Sequence, residues 1–147
     1  MSEENVAVVR QAFKALNEND FRGWFATSSA EIKVYPRAEE PGVRQCYEGW
    51  DEMLEYLVNW YSGWEDYTVE PERFIDAGEW VVVDAREVGL AEKSGMRIEE
   101  NFAHAFKLQD GKAVEWRMFG PLEEAFEALG LSPQMGRDGF EPSTDGL

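Results

Sequence analysis

Cysteine and histidine are scarce in this chain, and each shortage excludes a class of protein. Cys46 is the single cysteine among 147 residues, so no internal disulfide can form and a secreted, disulfide-stapled scaffold is excluded. The single histidine, His104, lies far from Cys46 in the sequence, and one residue of each type gives no zinc-binding spacing. Glycine-rich phosphate loops and G-x-S-x-G elbows are also missing. We therefore expect neither a metal nor a cofactor.

Basic residues and long apolar runs are few as well. The chain has 14 basic residues against 30 acidic ones, for a formal net charge of −16. This charge repels phosphate backbones and anionic lipids, so we expect no nucleic-acid partner and no membrane partner. No apolar run approaches the roughly 20 residues that a membrane-spanning helix needs. The acidic N-terminus resembles neither a signal peptide nor a transit peptide, and we expect a cytoplasmic protein.

Aromatic residues, in contrast, are plentiful at 14% of the chain, which supplies ample material for a core. The length predicts one domain, which we place at residues 1–131. Residues 132–147 are rich in glycine, proline and serine without periodicity, which predicts a flexible tail. Removal of this tail should change the free energy of unfolding by well under ~1 kcal/mol.

Hydrophobic periodicity predicts helices and strands along the chain. The helices are expected at 3–18, 49–62 and 122–129, with a short one through Phe21 and Phe25. The strands are expected at 31–35 and 67–75, followed by three long strands within 74–119. Asp110-Gly111 predicts a tight hairpin turn, and Pro71 predicts an edge strand or a bulge.

This order of elements predicts an α+β fold. We expect a curved, mostly antiparallel sheet that forms a cone, with the N-terminal helices packed on its concave face. The mouth of such a cone is a natural place for a small ligand.

The long strand that contains His104 carries the first candidate site residues. Alternation places Glu100 and His104 on one face of it, among Phe102, Phe106 and Leu108. On a regular strand the two residues would be about 13 Å apart, so both could line one cavity without forming a pair. His104 is either a general base or a neutral core histidine with a fixed partner. Glu100 is a second catalytic candidate, and a position at the solvent-exposed rim is its other interpretation.

Five further residues are candidates for ligand binding. Arg86 shares a strand face with Asp84, Val82 and Val88, where a cross-strand ion pair is the alternative interpretation. The other four are aromatic residues that could wall a pocket or simply pack in the core: Trp24, Tyr35, Tyr61 and Trp116.

Five segments carry a resemblance to a known family: ENVAVVRQAFKALNENDF, YEGWDEMLEYL, FIDAGEWVVVDAREVG, SGMRIEENFAHAFKLQDGKAVEW and EEAFEALGL. Together they resemble the SnoaL-like branch of the nuclear transport factor 2-like superfamily over roughly residues 4–131. The resemblance implies the α+β cone and a range of activities, among them ketosteroid isomerases, polyketide cyclases, dehydratases, epoxide hydrolases and non-catalytic binding proteins.

The catalytic residues implied by these relatives are not found here. The first helix, VAVVRQAFKALN, has no tyrosine, the first strand, EIKVY, has no aspartate, and residues 118–121 contain no acid. We therefore hypothesise a small-molecule pocket for an apolar ligand, resembling the cyclases and isomerases, with an acid–base role for His104. The alternative is a non-catalytic dimerising domain with a vestigial pocket.

We also predict a homodimer, because Ala103 and Ala105, flanked by Asn101 and Lys107, form a stripe of small residues on one strand face. Small residues allow close approach of a second copy. The expected interface buries on the order of 1,600 Å² in total. Light scattering at protein concentrations on the order of tens of micromolar checks this, and a monomer mass there would contradict it.

Overall fold

The computed structural model describes residues 2–40 and 42–131. Its helices are α1 (Ser2–Asn17), α2 (Phe21–Ala26), α3 (Gly49–Tyr61) and α4 (Leu122–Leu129). Its strands are β1 (Ser28–Tyr35), β2 (Tyr47–Glu48), β3 (Trp64–Ala77), β4 (Trp80–Ala91), β5 (Arg97–Gln109) and β6 (Lys112–Phe119). The predicted tail, 132–147, lies outside the described residues. Among the helices described, none is long and apolar enough to span a membrane.

The six strands form one sheet in the order β2-β1-β6-β5-β4-β3, in which only the β1–β6 pair is parallel. This confirms the predicted α+β fold with a curved, mostly antiparallel sheet. Strand β2 is absent from the sequence-based prediction because two residues cannot show an alternation.

Two local predictions are confirmed at the edges of the sheet. Asp110 and Gly111 both have positive φ, at 53° and 76°, which is the backbone of a tight hairpin turn between β5 and β6. Pro71 lies on β3, the edge strand, where the register with β4 shifts between Pro71 and Arg73. Proline cannot donate to a ladder, so this is the kind of position it tolerates.

The helices α1, α2 and α3 cover one face of the sheet and enclose the main core. Phe13 of α1 packs edge-on against Trp24 of α2 and against Phe106 of β5, with ring centroids 6.4 and 5.6 Å apart. At the end of α1, the Asn17 side chain pairs with the backbone of Val69: its amide donates to the carbonyl over 2.6 Å and its oxygen accepts from the N–H over 3.0 Å. This pairing holds α1 against the edge strand.

The fourth helix, α4, packs on the face of the sheet opposite to the three N-terminal helices. Ala125 of α4 forms a second apolar cluster with Ile75, Val82, Ala103 and Ala105. The alanine stripe proposed for dimer contact is therefore fully buried within the chain itself. The homodimer stays a prediction, but its surface must lie elsewhere.

The docking of α4 can be tested by overpacking its contact with the sheet. Ala125→Leu adds three carbons at a site with no exposed surface, and we expect it to lower the free energy of unfolding by about 1–3 kcal/mol. The control is Ala7→Leu, the same change on an exposed helical position, which should alter stability by no more than about 0.5 kcal/mol. Equal melting curves for the two variants would contradict the packing of α4.

Candidate functional site

Strand alternation turns one face of β4 and β5 toward α1, α2 and α3. The inward residues are Val81, Val83, Ala85 and Glu87 on β4, and Phe102, His104 and Phe106 on β5. Glu87 is the last inward residue of β4 with a polar side chain and is only 7% exposed. A carboxylate at this depth is costly unless hydrogen-bond donors satisfy its oxygens.

His104 connects Glu87 to Trp116 through hydrogen bonds at both ring nitrogens. Its Nε2 atom lies 2.7 Å from Oε2 of Glu87, and its Nδ1 atom lies 3.0 Å from the indole Nε1 of Trp116. An indole N–H can only donate, so Nδ1 is the acceptor and carries no proton. The ring proton is therefore on Nε2, which donates it to Glu87. This arrangement fixes one neutral tautomer and leaves neither ring nitrogen free for a ligand.

Tyr67 supplies the second donor to Glu87, because its hydroxyl donates to Oε1. The Tyr67 ring crosses β4 at Gly89, where a Cβ would lie 2.4 Å from the ring carbon Cδ2. Only glycine leaves room for this approach. Burial, followed by the negative charge of Glu87, raises the pKa of Tyr67 well above its ordinary value. The hydroxyl therefore remains protonated and continues to donate.

A second carboxylate, Glu40, is 8% exposed and lines the same cavity as Glu87. The Tyr56 hydroxyl lies 3.1 Å from each of its oxygens. Burial raises the pKa of Glu40, and the charge of Glu87 adds to this, while the Tyr56 hydrogen bond and the Arg37 guanidinium act in the opposite direction. The two carboxylates therefore have different surroundings: two neutral donors at Glu87, and a hydroxyl with a nearby cation at Glu40.

These groups face an open cavity whose empty space is about 430 Å³ when the solvent at its mouth is included. Its interior is narrow, with room for about two water molecules. Apolar and aromatic residues complete the walls: Leu16, Leu57, Trp60, Tyr61, Val69, Phe102 and Met118. Within the described part of the chain, no group of three or more histidine, cysteine or acidic residues is placed to hold a metal ion.

Three of the residues predicted from the sequence line this cavity: His104, Trp116 and Tyr61. Among residues 2–40 and 42–131, the Tyr61 hydroxyl has no hydrogen-bond partner, and burial raises its pKa well above the ordinary value. Trp24 lies one layer behind. Its indole packs edge-on against Trp116 with centroids 4.9 Å apart and donates to the sulfur of Met53 over 3.3 Å, so it supports the wall without forming it.

Arg86 and Glu100, two further candidates, lie outside the cavity. Arg86 adjoins Glu87 on β4 and therefore points to the other face of the sheet, where it forms a salt bridge of 2.5 Å with Glu99. This is a cross-strand ion pair, the alternative to ligand binding that the sequence leaves open for Arg86. Glu100 shares the face of His104 and is the direct strand partner of Glu87, but its side chain is exposed to solvent and does not line the cavity.

Tyr35 also lies outside the cavity that contains His104. It is the last residue of β1, and the guanidinium of Arg117 lies over its ring at 4.5 Å from the centroid. This contact forms part of a separate, open groove. Ile32 and Val34 face the main core, so alternation along β1 turns Tyr35 toward the other face of the sheet and away from the site.

Glu87 is the most important residue that the sequence analysis misses. Alternation along β4 could have indicated it, because the valines at 81 and 83 precede it on one apolar face. The run of three valines, 81–83, hides this alternation, because Val82 is also buried, on the opposite face under α4. The strand register places Val83, not Glu87, opposite His104, so pairing rules alone do not predict the hydrogen bond.

The raised pKa of Glu40 predicts a specific dependence of stability on pH. The folded protein holds this proton more tightly than the unfolded chain, so wild type gains stability relative to Glu40→Gln at low pH and loses it as the pH rises through the raised pKa. Unfolding free energies of both proteins from about pH 5 to pH 8 check this. Glu39→Gln, at the exposed neighbouring position, is the control. A difference that stays constant with pH would contradict the burial of Glu40.

Several solved structures have the same architecture as this chain, although their sequence identity to it is low. An NTF2-like protein of unknown function from Burkholderia pseudomallei K96243 is 21% identical, with a TM-score of 0.73 over 84% of this chain and 95% of its own. A protein from Jannaschia sp. CCS1, named for its likeness to SnoaL-like polyketide cyclases, is 22% identical, with a TM-score of 0.72 over 90% and 95%. TerC, co-crystallised with polyporic acid, is 19% identical, with a TM-score of 0.72 over 86% and 97%. At these identities the comparison shows the fold alone.

The sequence itself carries the family assignment. No curated protein matches the chain. The family model of the SnoaL-like domain, however, matches residues 9–116, which is well over half of the chain. That range extends from α1 to β6 and includes Glu87, His104 and Trp116, so the resemblance predicted from the sequence is confirmed. This chain belongs to the SnoaL-like domain family.

Proposed function

We propose that this domain binds a small, flat and largely apolar molecule in the cavity, and that Glu87 accepts a proton from it. The observation that carries the proposal is the buried carboxylate of Glu87, held by Tyr67 and His104 against an apolar cavity. Two lone-pair sites on each carboxylate oxygen leave acceptor capacity for a ligand. A cyclase or isomerase reaction needs a base of this kind, and the relatives named as polyketide cyclases are consistent with it.

In this proposal His104 is a positioning residue and Glu87 is the base. Both nitrogens of His104 are occupied, one by Glu87 and one by Trp116, so the ring cannot take a proton from a ligand. It orients the carboxylate and supplies a neutral donor to it. His104 therefore contributes to acid–base chemistry by positioning Glu87, and not by taking the proton itself.

Tyr61 supports the other half of a proton-transfer step. Its buried hydroxyl lines the cavity, stays protonated and lacks a partner among the described residues. When Glu87 takes the proton from a carbon next to a ligand carbonyl, the C–H electron pair moves into an enolate, and its oxygen accepts a hydrogen bond from Tyr61. Return of the proton to a different carbon gives an isomer. Attack of the enolate carbon on a second carbonyl closes a ring, and the proton held by Glu87 then passes to the new alkoxide oxygen.

The narrowness of the cavity favours one competing function, a non-catalytic domain with a vestigial pocket. A space that holds about two water molecules is smaller than most ligand sites. The buried charge of Glu87 argues against a vestigial pocket, because replacement by an apolar residue would remove its desolvation cost. Both versions of the proposal include a homodimer and a cytoplasmic location. The location is proposed because the chain has one cysteine and a strongly acidic composition.

Exchange of an acidic C–H proton tests the base directly, without knowledge of the natural ligand. The probe is 2-indanone, a flat bicyclic ketone, incubated with the protein in heavy water. We expect wild type to accelerate the loss of the proton signals next to the carbonyl, followed by NMR. Glu87→Gln keeps the shape of the side chain but cannot take the proton, so the acceleration should fall by a factor of about 10²–10⁴.

Glu123→Gln is the matched control, since it removes one carboxylate from an exposed position of α4, on the opposite face of the sheet. It should exchange the probe at the wild-type rate. An equal rate in wild type and Glu87→Gln, with both proteins folded, would refute the proposed base and favour the vestigial pocket.

A further inference from the structure

The wall of the cavity beside Glu87 contains a corner of three aromatic rings. These rings line the cavity and are partly exposed, so they lie between its interior and solvent; they belong to Trp60, Tyr61 and Tyr67. Their planes differ: the Trp60 and Tyr67 rings are inclined by 84° and the Tyr61 and Tyr67 rings by 55°, each pair with centroids 5.6 Å apart. We call these three residues the aromatic corner. All three residues line the cavity, so their aromatic surface is available to a ligand there.

The charges around the cavity are unbalanced. Arg37, Glu40 and Glu87 are its charged lining residues among those that the structure describes. The positive charge of Arg37 acts to lower the pKa of Glu40. The Arg37 guanidinium also lies over the Phe102 ring, 4.0 Å from the ring centroid. Glu87, in contrast, has only neutral donors, because His104 is held as the neutral tautomer. A buried carboxylate is normally paired with a cation, and this one has none within the described residues.

We propose that the ligand carries a protonated amine, which lies against the aromatic corner and compensates the charge of Glu87. The inference rests on the proposed function, since it names the ligand class of the same cavity. Aromatic faces attract cations, and the attraction grows where water is excluded. The field of Glu87 acts over several ångströms, so the cation does not need to occupy the carboxylate oxygens. Tyr61, whose hydroxyl lacks a protein partner in the described residues, completes the corner.

The same arrangement disfavours other ligand classes. An anionic ligand would face the charges of both Glu40 and Glu87 at low dielectric. A neutral aromatic ligand would gain the apolar contacts but would leave Glu87 without a counter-charge. The net charge of −16 adds a field that draws cations toward the protein in general, so the test must separate the cavity from the surface.

Benzylammonium and benzyl alcohol are suitable probes, because they share a ring and a chain length and differ in charge. NMR titration of wild type should give a dissociation constant for benzylammonium that is lower than that for benzyl alcohol by about tenfold or more. Glu87→Gln should abolish this preference while benzyl alcohol binds as before. Trp60→Leu removes one ring of the corner at a partly exposed position and should weaken benzylammonium binding more than benzyl alcohol binding. Glu123→Gln, which removes a surface charge on the opposite face of the sheet, should retain the wild-type preference.

The possible outcomes separate this inference from the proposed function. Equal binding of the two probes to wild type overturns the cationic ligand and leaves the cavity and its base in place. A preference that survives in both Glu87→Gln and Trp60→Leu assigns the effect to the surface field and also overturns it. Failure of both probes to bind overturns the cationic ligand, and exchange of 2-indanone then decides the proposed function separately. Should Glu87→Gln fail to fold, Trp60→Leu alone decides between the corner and the surface.

Discussion

The hydrogen bond between Glu87 and His104 is the interaction on which the rest of the site depends. A carboxylate that is 7% exposed has to replace the water that it loses, and an imidazole N–H with a tyrosine hydroxyl does so here. Trp116 affects Glu87 through the same histidine. Its N–H donates to the other ring nitrogen of His104 and thereby fixes the tautomer that donates to Glu87. Removal of any one partner leaves a buried polar atom unpaired, so these residues act as a unit.

The fold supplies the conditions for this unit. The helices α1, α2 and α3 exclude water from one face of the sheet, and α4 seals the other, so the middle of β4 and β5 is buried on both sides. Gly89 then lets the Tyr67 ring cross β4 and reach Glu87. A sheet that is covered in this way carries a charged group where neighbouring strands contribute donors. Strands β3 and β5 do so through Tyr67 and His104, while Trp116 of β6 donates to His104 and orients it.

The sequence predicts the elements well and the site only in part. Periodicity identifies the helices and strands because each pattern depends on neighbours two to four residues apart. It also indicates His104, since a single histidine among large apolar residues stands out. Glu87 escapes because Val82, buried under α4 on the opposite face, interrupts the alternation of β4, and that helix is distant in the sequence. Glu40 escapes because it lies in a loop between two prolines, where no periodicity shows that its side chain turns inward.

The tautomer of His104 is the most direct test of this account. Because His104 is the only histidine, the ring-nitrogen NMR signals of the intact protein belong to it without assignment. At neutral pH the account predicts a protonated Nε2 and an unprotonated Nδ1 that accepts from Trp116. A charged imidazolium, or a ring protonated at Nδ1, would contradict the hydrogen-bond chain and with it the role of Glu87 as the uncompensated buried base.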